Sequence, residues 1–161
     1  MSTTVQGVDA RAYLAGWLSA VTNMTIADIN AIPEDKWNES QGGCARSANG
    51  LLADVVTNLK WTTDILAGKE SDAYNHMGDL AALYVDKAIA VAQFAEASKT
   101  LGEAIHAASD ETLNSTAMAP WGMPTPVFTL ATISVNHIWY HDGQFNYVQC
   151  LIGDEKVHWM G

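Results

Sequence analysis

Apolar residues recur along this chain at three- and four-residue intervals in four long stretches, and no stretch shows the two-residue alternation of a half-buried strand. Four helices are predicted. The first starts at Asp9, whose carboxylate can cap the free amides of the opening turn. It carries Tyr13, Leu14, Trp17, Leu18 and Val21 on one face, before Pro33 closes the region and pushes Ile32 out of helical geometry. Residues 33–46 read as a long connection containing Gly42-Gly43-Cys44. Ser47 reads as the N-cap of a second helix that runs to Ala67, with Gly68 as its stop and Leu51, Leu52, Val55, Val56, Leu59, Thr62 and Leu66 as its apolar face. Past a polar stretch at 71–78, a third helix is expected from Asp79 to Ala108. Leu80, Tyr84, Val91, Phe94, Leu101 and Ile105 form its stripe, with alanines between them that allow close approach. Thr125-Pro126, an N-cap followed by proline at the first helical position, opens a fourth helix ending near Gly153.

Four such helices predict an all-α fold, an antiparallel-type four-helix bundle forming one domain over residues 1–161. The connections after the first and third helices exceed the few residues usual in simple bundles, so crossings over one end are expected. At 161 residues, 48% hydrophobic and 16% charged, the chain can bury a sizeable core. No run approaches the roughly 18 apolar residues of a membrane span, and the first residues have neither a basic start nor an apolar stretch. No membrane association and a cytoplasmic location are therefore expected. Cys44 and Cys150 form no CxxC pattern and read as two free thiols. A net charge of −10, from 18 acidic and 8 basic residues, argues against a nucleic-acid partner, although a metal or an arginine such as Arg46 could still hold an anion locally.

The candidate chemistry lies in the last helix. His137 and His141 stand four residues apart, which puts both imidazoles on one helix face and lets their nitrogens converge on one ion. The same spacing also suits two histidines with ordinary core or surface contacts. In a bundle, further ligands come from facing helices. On the second helix Asp54 and Asn58 share a stripe with Trp61 and Ile65 at the border of the apolar face, so Asp54 is either an inward ligand or a solvated acid at the edge of that stripe. Asn58 could orient Asp54 or a water, or serve a backbone carbonyl. Gln144, three residues past His141, could share its face or make an interior hydrogen bond. Asp142 points elsewhere and reads as solvent-facing. Cys44 reads as a small buried residue in a glycine-rich turn, and His76, His106 and His158 as ordinary surface groups. Trp121 and Trp139 could wall an apolar pocket.

The segments Gly42-Gly43-Cys44-Ala45-Arg46-Ser47, Ser47 through Asp54 and His137-Ile-Trp-Tyr-His141-Asp-Gly-Gln-Phe-Asn-Tyr resemble the DinB/YfiT-like family of four-helix metalloenzymes. The resemblance implies one metal ligand on the second helix and an HxxxH pair on the last, here Asp54 with His137 and His141. The family's second-helix ligand is a histidine, and no histidine occurs before residue 76. A carboxylate in its place would turn three imidazoles into two imidazoles and one carboxylate, a set that still suits a divalent ion such as zinc, nickel or iron. Alternatively the site is degenerate, with Asp54 paired to a protonated histidine. The resemblance also implies a cofactor of this kind, a small-molecule substrate such as a low-molecular-weight thiol, and a thiol S-transferase reaction. A hydrolase would need the same ligands. The contrasting expectation is a non-catalytic helical module that binds a small molecule or forms a homodimer.

Overall fold

The computed structural model of the chain describes residue 7 and residues 9–160. Four long helices form the bundle: α1 (Ala10–Ala31), α3 (Ala48–Leu66), α5 (Lys87–Ala107) and α7 (Val127–Leu151). Short helices α2 (Glu34–Trp37), α4 (Met77–Leu83) and α6 (Asp110–Asn114) lie in the connections. Asp9 caps α1 as its sequence position suggests, accepting from the amides of Arg11 and Ala12. Gly68 takes a positive φ of 69° just beyond α3, and Lys69 donates back to the Asp64 carbonyl, so the helix stops where expected.

The helix directions follow from which residues meet. Trp17 lies beside Trp139, with ring centres 5.6 Å apart, and Asp28 meets Asn146 and Gln149, so α1 and α7 run parallel. Leu18 sits against Gly102 while Lys87 reaches the carbonyls of Asn30 and Ile32, so α1 and α5 are antiparallel. Thr62 bonds Ser134 while Asp54 meets His141, so α3 and α7 are also antiparallel. The bundle is therefore up-down-down-up, and α3 packs between α5 and α7. A parallel α3–α5 pair needs a chain return along α3, which the 3₁₀ turn Ala73–His76 and α4 provide. The long connections produce the crossings that their length implied.

Three local expectations are corrected. The third helix is broken: α4 ends at Leu83, and Asp86 caps a new start by accepting from the Ile89 amide. A tertiary contact causes the break. The buried Trp37 indole donates to the Tyr84 carbonyl at 2.7 Å, an acceptor that an unbroken helix would have used itself. The second correction concerns Thr116–Met118 and Pro124–Pro126, which form a two-stranded antiparallel hairpin, β1 and β2, with Ala117 opposite Thr125. Thr125 turns its hydroxyl to the Met123 carbonyl, so Pro126 precedes α7 without a side-chain cap. Finally, Tyr13 is exposed and does not join the core. The main core is a cluster drawn from all four long helices, including Leu18, Leu52, Phe94, Leu101, Ile138 and Phe145, and a smaller cluster joins Trp61, Ala119 and Leu130.

Asp142 is buried, contrary to its solvent-facing reading, because α7 is covered on one side by α1 and on another by α3, which widens its buried arc. It lies against the fully buried Asp28 of α1, and the Asn146 amide bridges the two carboxylates at 3.5 and 3.0 Å. Burial, then the charge of Asp28, raises the Asp142 carboxyl from 3.8 to about 6. The native state thus binds this proton more tightly than the unfolded chain. The associated stability is complete below the ordinary value near 3.8 and is lost as pH rises through about 6. Asp142→Asn should therefore stabilise the fold by about 1–3 kcal/mol at pH 7.5 and by little at pH 4. Equal changes in melting temperature at the two pH values would contradict this.

Candidate metal centre

The α3–α7 seam sets the site. Thr62 Oγ1 and Ser134 Oγ are buried 2.6 Å apart and fix the register of the two antiparallel helices. Asp54 lies eight residues before Thr62, about 12 Å along α3, and His141 lies seven after Ser134, about 10.5 Å along α7. The two positions therefore come level. Apolar neighbours on both helices, Leu51 and Val55 on α3 and Ile138 and Phe145 on α7, are buried around them.

Asp54, His137 and His141 each bring one ligand-type atom within 4.8 Å of the others. Asp54 Oδ2 is 3.4 Å from His141 Nε2 and 4.0 Å from His137 Nε2, and the two Nε2 atoms are 3.0 Å apart. Of the three side chains, that of His141 is closed off at 1% exposure, whereas those of Asp54 and His137 keep 16% and 22%. The site thus has a fixed floor and an open side.

The hydrogen bonding dictates what the cluster requires. His141 Nδ1 is 2.6 Å from Gln144 Oε1, an oxygen that only accepts, so this nitrogen carries the proton. In neutral His141, Nε2 is then a lone pair aimed at a carboxylate oxygen and at a second imidazole nitrogen. With the His137 proton on Nε2 the two imidazoles share an ordinary hydrogen bond, and with it on Nδ1 all three facing atoms are lone pairs that a metal ion can join. Bonds of about 2.0–2.2 Å from a divalent ion to nitrogen and oxygen set donor–donor edges of roughly 3.0–3.6 Å. Two of the three edges already match, and a small turn of the partly exposed Asp54 carboxylate closes the third. The donor set fits a divalent ion with three protein ligands and open positions.

Gln144 shares the face of His141, as its spacing allowed, and accepts from its Nδ1. Asn58 bonds neither Asp54 nor a backbone carbonyl among the described residues. Its amide donates to the Tyr74 hydroxyl at 3.0 Å, and its Oδ1 is buried without a partner among the described residues. Tyr74, from the turn after α3, gave no sequence signal. Burial, and then the charge of Asp54, keeps its phenol protonated above the ordinary range. Arg46 was legible only as a possible anion holder, and it donates to Asp54 Oδ2 at 2.7 Å. When the His141 ring is protonated on both nitrogens, its hydrogen bond to Asp54, together with Arg46, outweighs burial and holds the Asp54 carboxyl well below the usual carboxylate range. Asp54 is therefore ionised. Cys44 is exposed, contrary to its expected burial, and Cys150 is also a free, exposed thiol. Trp121 and Trp139 are both exposed, and Trp139 packs against Trp17.

With the helices and site in place, the architecture is the DinB-like helical fold. The chain is similar in structure to the mycothiol-dependent maleylpyruvate isomerase, with a TM-score of 0.70 and 13% identity over 84% of this chain and 60% of that one. A histidine-to-alanine mutant of the same isomerase superposes with a TM-score of 0.71 at 12% identity, over the same shares. The chain thus spans 60% of the length of these neighbours, and at such identity the likeness is one of fold. No known protein family and no curated protein matches it in sequence.

Burial first, and then the like charge on His141, lower His137 to about 4, against a smaller opposing pull from Asp54. At neutral pH this imidazole is uncharged and free to act as a ligand. The unfolded chain binds its proton more tightly, so His137 leaves the fold unaffected above about 6.5 and weakens it progressively as pH falls towards 4. In metal-free protein, the His137 ring protons observed by NMR should titrate with a midpoint near 4. A midpoint at the unperturbed value of about 6.5 would contradict the buried placement.

Proposed function

We propose that Asp54, His137 and His141 hold a divalent metal ion and that the protein is a metal-dependent enzyme acting on a small thiol, in the manner of a thiol S-transferase. The observation that carries this reading is the convergence of two imidazole nitrogens and an ionised carboxylate on one point at the partly open end of the α3–α7 seam. The fold likeness to an isomerase that is itself mycothiol-dependent supports a thiol as the substrate class.

A divalent ion in such a site supplies Lewis acidity, which lowers the pKa of a small thiol and leaves a nucleophilic thiolate at neutral pH. The rest falls to the chain's own side chains. Gln144 holds the His141 ring and fixes its tautomer, so that Nε2 faces the centre. His137, kept neutral by burial, offers a second nitrogen without first releasing a proton. Asp54 contributes the negative charge that distinguishes this set from three imidazoles and makes the site more tolerant of oxygen-preferring ions such as iron(II). Tyr74 can donate its phenolic proton, because its oxygen already accepts from Asn58.

One feature favours a second reading, a non-catalytic module that pairs through a helical face. The α1–α7 side exposes Tyr13, Trp17, Trp139, Tyr140 and Tyr147, in helices whose acidic residues, Asp28 and Asp142, are both buried. In a chain of net charge −10, this uncharged aromatic face is where two copies could approach without repulsion. A single preparation separates the two readings. Protein purified without chelator or metal-affinity tag should carry about one divalent ion per chain by elemental analysis. Asp54→Ala should weaken zinc affinity by more than the ~10–100-fold that loss of an orienting partner costs, while Asp54→His retains it. A metal-free dimer by light scattering, with zinc affinity indifferent to residue 54, would leave only the module.

A further inference from the structure

Arg46 is the cation of the site, and it stands on the oxygen that a metal would need. Its Nη1 lies 2.7 Å from Asp54 Oδ2, the same atom that faces His141 Nε2 at 3.4 Å and His137 Nε2 at 4.0 Å. One carboxylate oxygen cannot serve a guanidinium and a divalent ion with equal strength. A doubly charged ion between the imidazoles would also repel the guanidinium at close range.

Arg46 is free to leave. Its side chain is 48% exposed, and Asp54 is its only side-chain hydrogen-bond or ion-pair partner among the described residues. It belongs to the connection just before α3, past Gly42 and Gly43, whose φ angles of 108° and 57° describe a turn that other residues rarely adopt. Once released, the guanidinium presents a planar fork of donors beside the metal position, the geometry that matches a carboxylate with two parallel hydrogen bonds. The overall charge of −10 repels anions, so an anionic substrate reaching this site needs a local cation of this kind.

We propose that Arg46 exchanges partners: with Asp54 committed to a divalent ion, its guanidinium binds an anionic group, a carboxylate, on the thiol substrate. The inference rests on the metal reading above and adds to it the charge of the substrate. It assigns Arg46 a specificity-determining role, in which the ion takes the sulfur end of the molecule and the arginine takes its carboxylate.

Cobalt(II) provides the test, because its visible absorption reports both ion binding and thiolate ligation. Two small probes of similar thiol acidity are compared on the cobalt-loaded protein: 3-mercaptopropionate, which carries a carboxylate, and 2-mercaptoethanol, which does not. The wild type should prefer the carboxylated thiol by ~10-fold or more. Arg46→Met should lose that preference while binding 2-mercaptoethanol as before, and should bind cobalt itself more tightly, since nothing then competes for Asp54. Arg46→Lys should restore part of the preference, as a charge without the fork. An Arg46→Met protein that keeps the wild-type preference, with normal helicity by circular dichroism, overturns the role of Arg46 and leaves the metal site standing. Failure of both wild type and Arg46→Met to bind cobalt removes the metal reading and this inference with it.

Discussion

The contact on which this structure turns is the register of α3 against α7. It is set by a buried pair of hydroxyls, Thr62 and Ser134, one or two helical turns from the site. Side chains on a helix repeat every 3.6 residues, so a shift of one residue in either helix would rotate Asp54 or the histidine pair by about 100° and take the carboxylate out of reach. The surrounding core, with Leu52, Val56 and Leu59 from α3 and Val135, Ile138 and Phe145 from α7, makes such a shift costly. Packing thus holds the Asp54 carboxylate and the two imidazole nitrogens within reach of one another.

That arrangement carries a tension which explains its neighbours. Facing acceptors are unfavourable until a positive charge joins them. Arg46 relieves Asp54 from the solvent side, and Gln144 relieves His141 from within the helix. His137 has no such partner. Its Nδ1 is buried without a hydrogen bond among the described residues, and burial keeps the ring neutral at ordinary pH. A side chain held neutral, buried on one edge and facing a carboxylate on the other is chemically suited to ligation. On the opposite flank of α7, Asp28 and Asp142 share one amide donor and, among the described residues, no cation, so the same helix carries two acidic contacts with different solutions.

Much of the bundle was legible because it depends on local periodicity. The apolar face of α3, the Asp9 cap and the stop at Gly68 follow from rules that act within a few residues. The histidine pair was legible from its spacing on one helix face, whereas helix position left Asp54 between an inward ligand and a solvated acid, and the resemblance to a metalloenzyme family pointed to the ligand. What escaped depends on contacts between distant segments. The break at Tyr84 reflects the Trp37 indole, which lies 47 residues away in the chain. The hairpin before α7 escaped because Thr125-Pro126 carries the signature of a helix start, while its hydroxyl turns back to Met123. Asp142 was misplaced because periodicity gives its angle on the helix, not the number of neighbours covering that angle. Asp28 did leave a trace, as an acid within a stripe that includes Val21, Thr25 and Ile29, all of them buried. Arg46 was legible as a possible anion holder but not as the partner of Asp54, and Tyr74 left no trace, since both belong to connecting segments.

The central claim is that these three side chains are a metal's ligands, and X-ray absorption at the metal edge of zinc-loaded protein addresses it most directly. Two imidazoles should appear as outer-shell multiple scattering, together with nitrogen and oxygen neighbours at about 2.0–2.2 Å and, without added thiol, no sulfur. Replacing Asp54 with alanine should leave the imidazole signal and change the inner shell alone. A sulfur neighbour near 2.3 Å in thiol-free protein, or a zinc spectrum without imidazole scattering, would place the ion at Cys44 or on the surface and contradict the account.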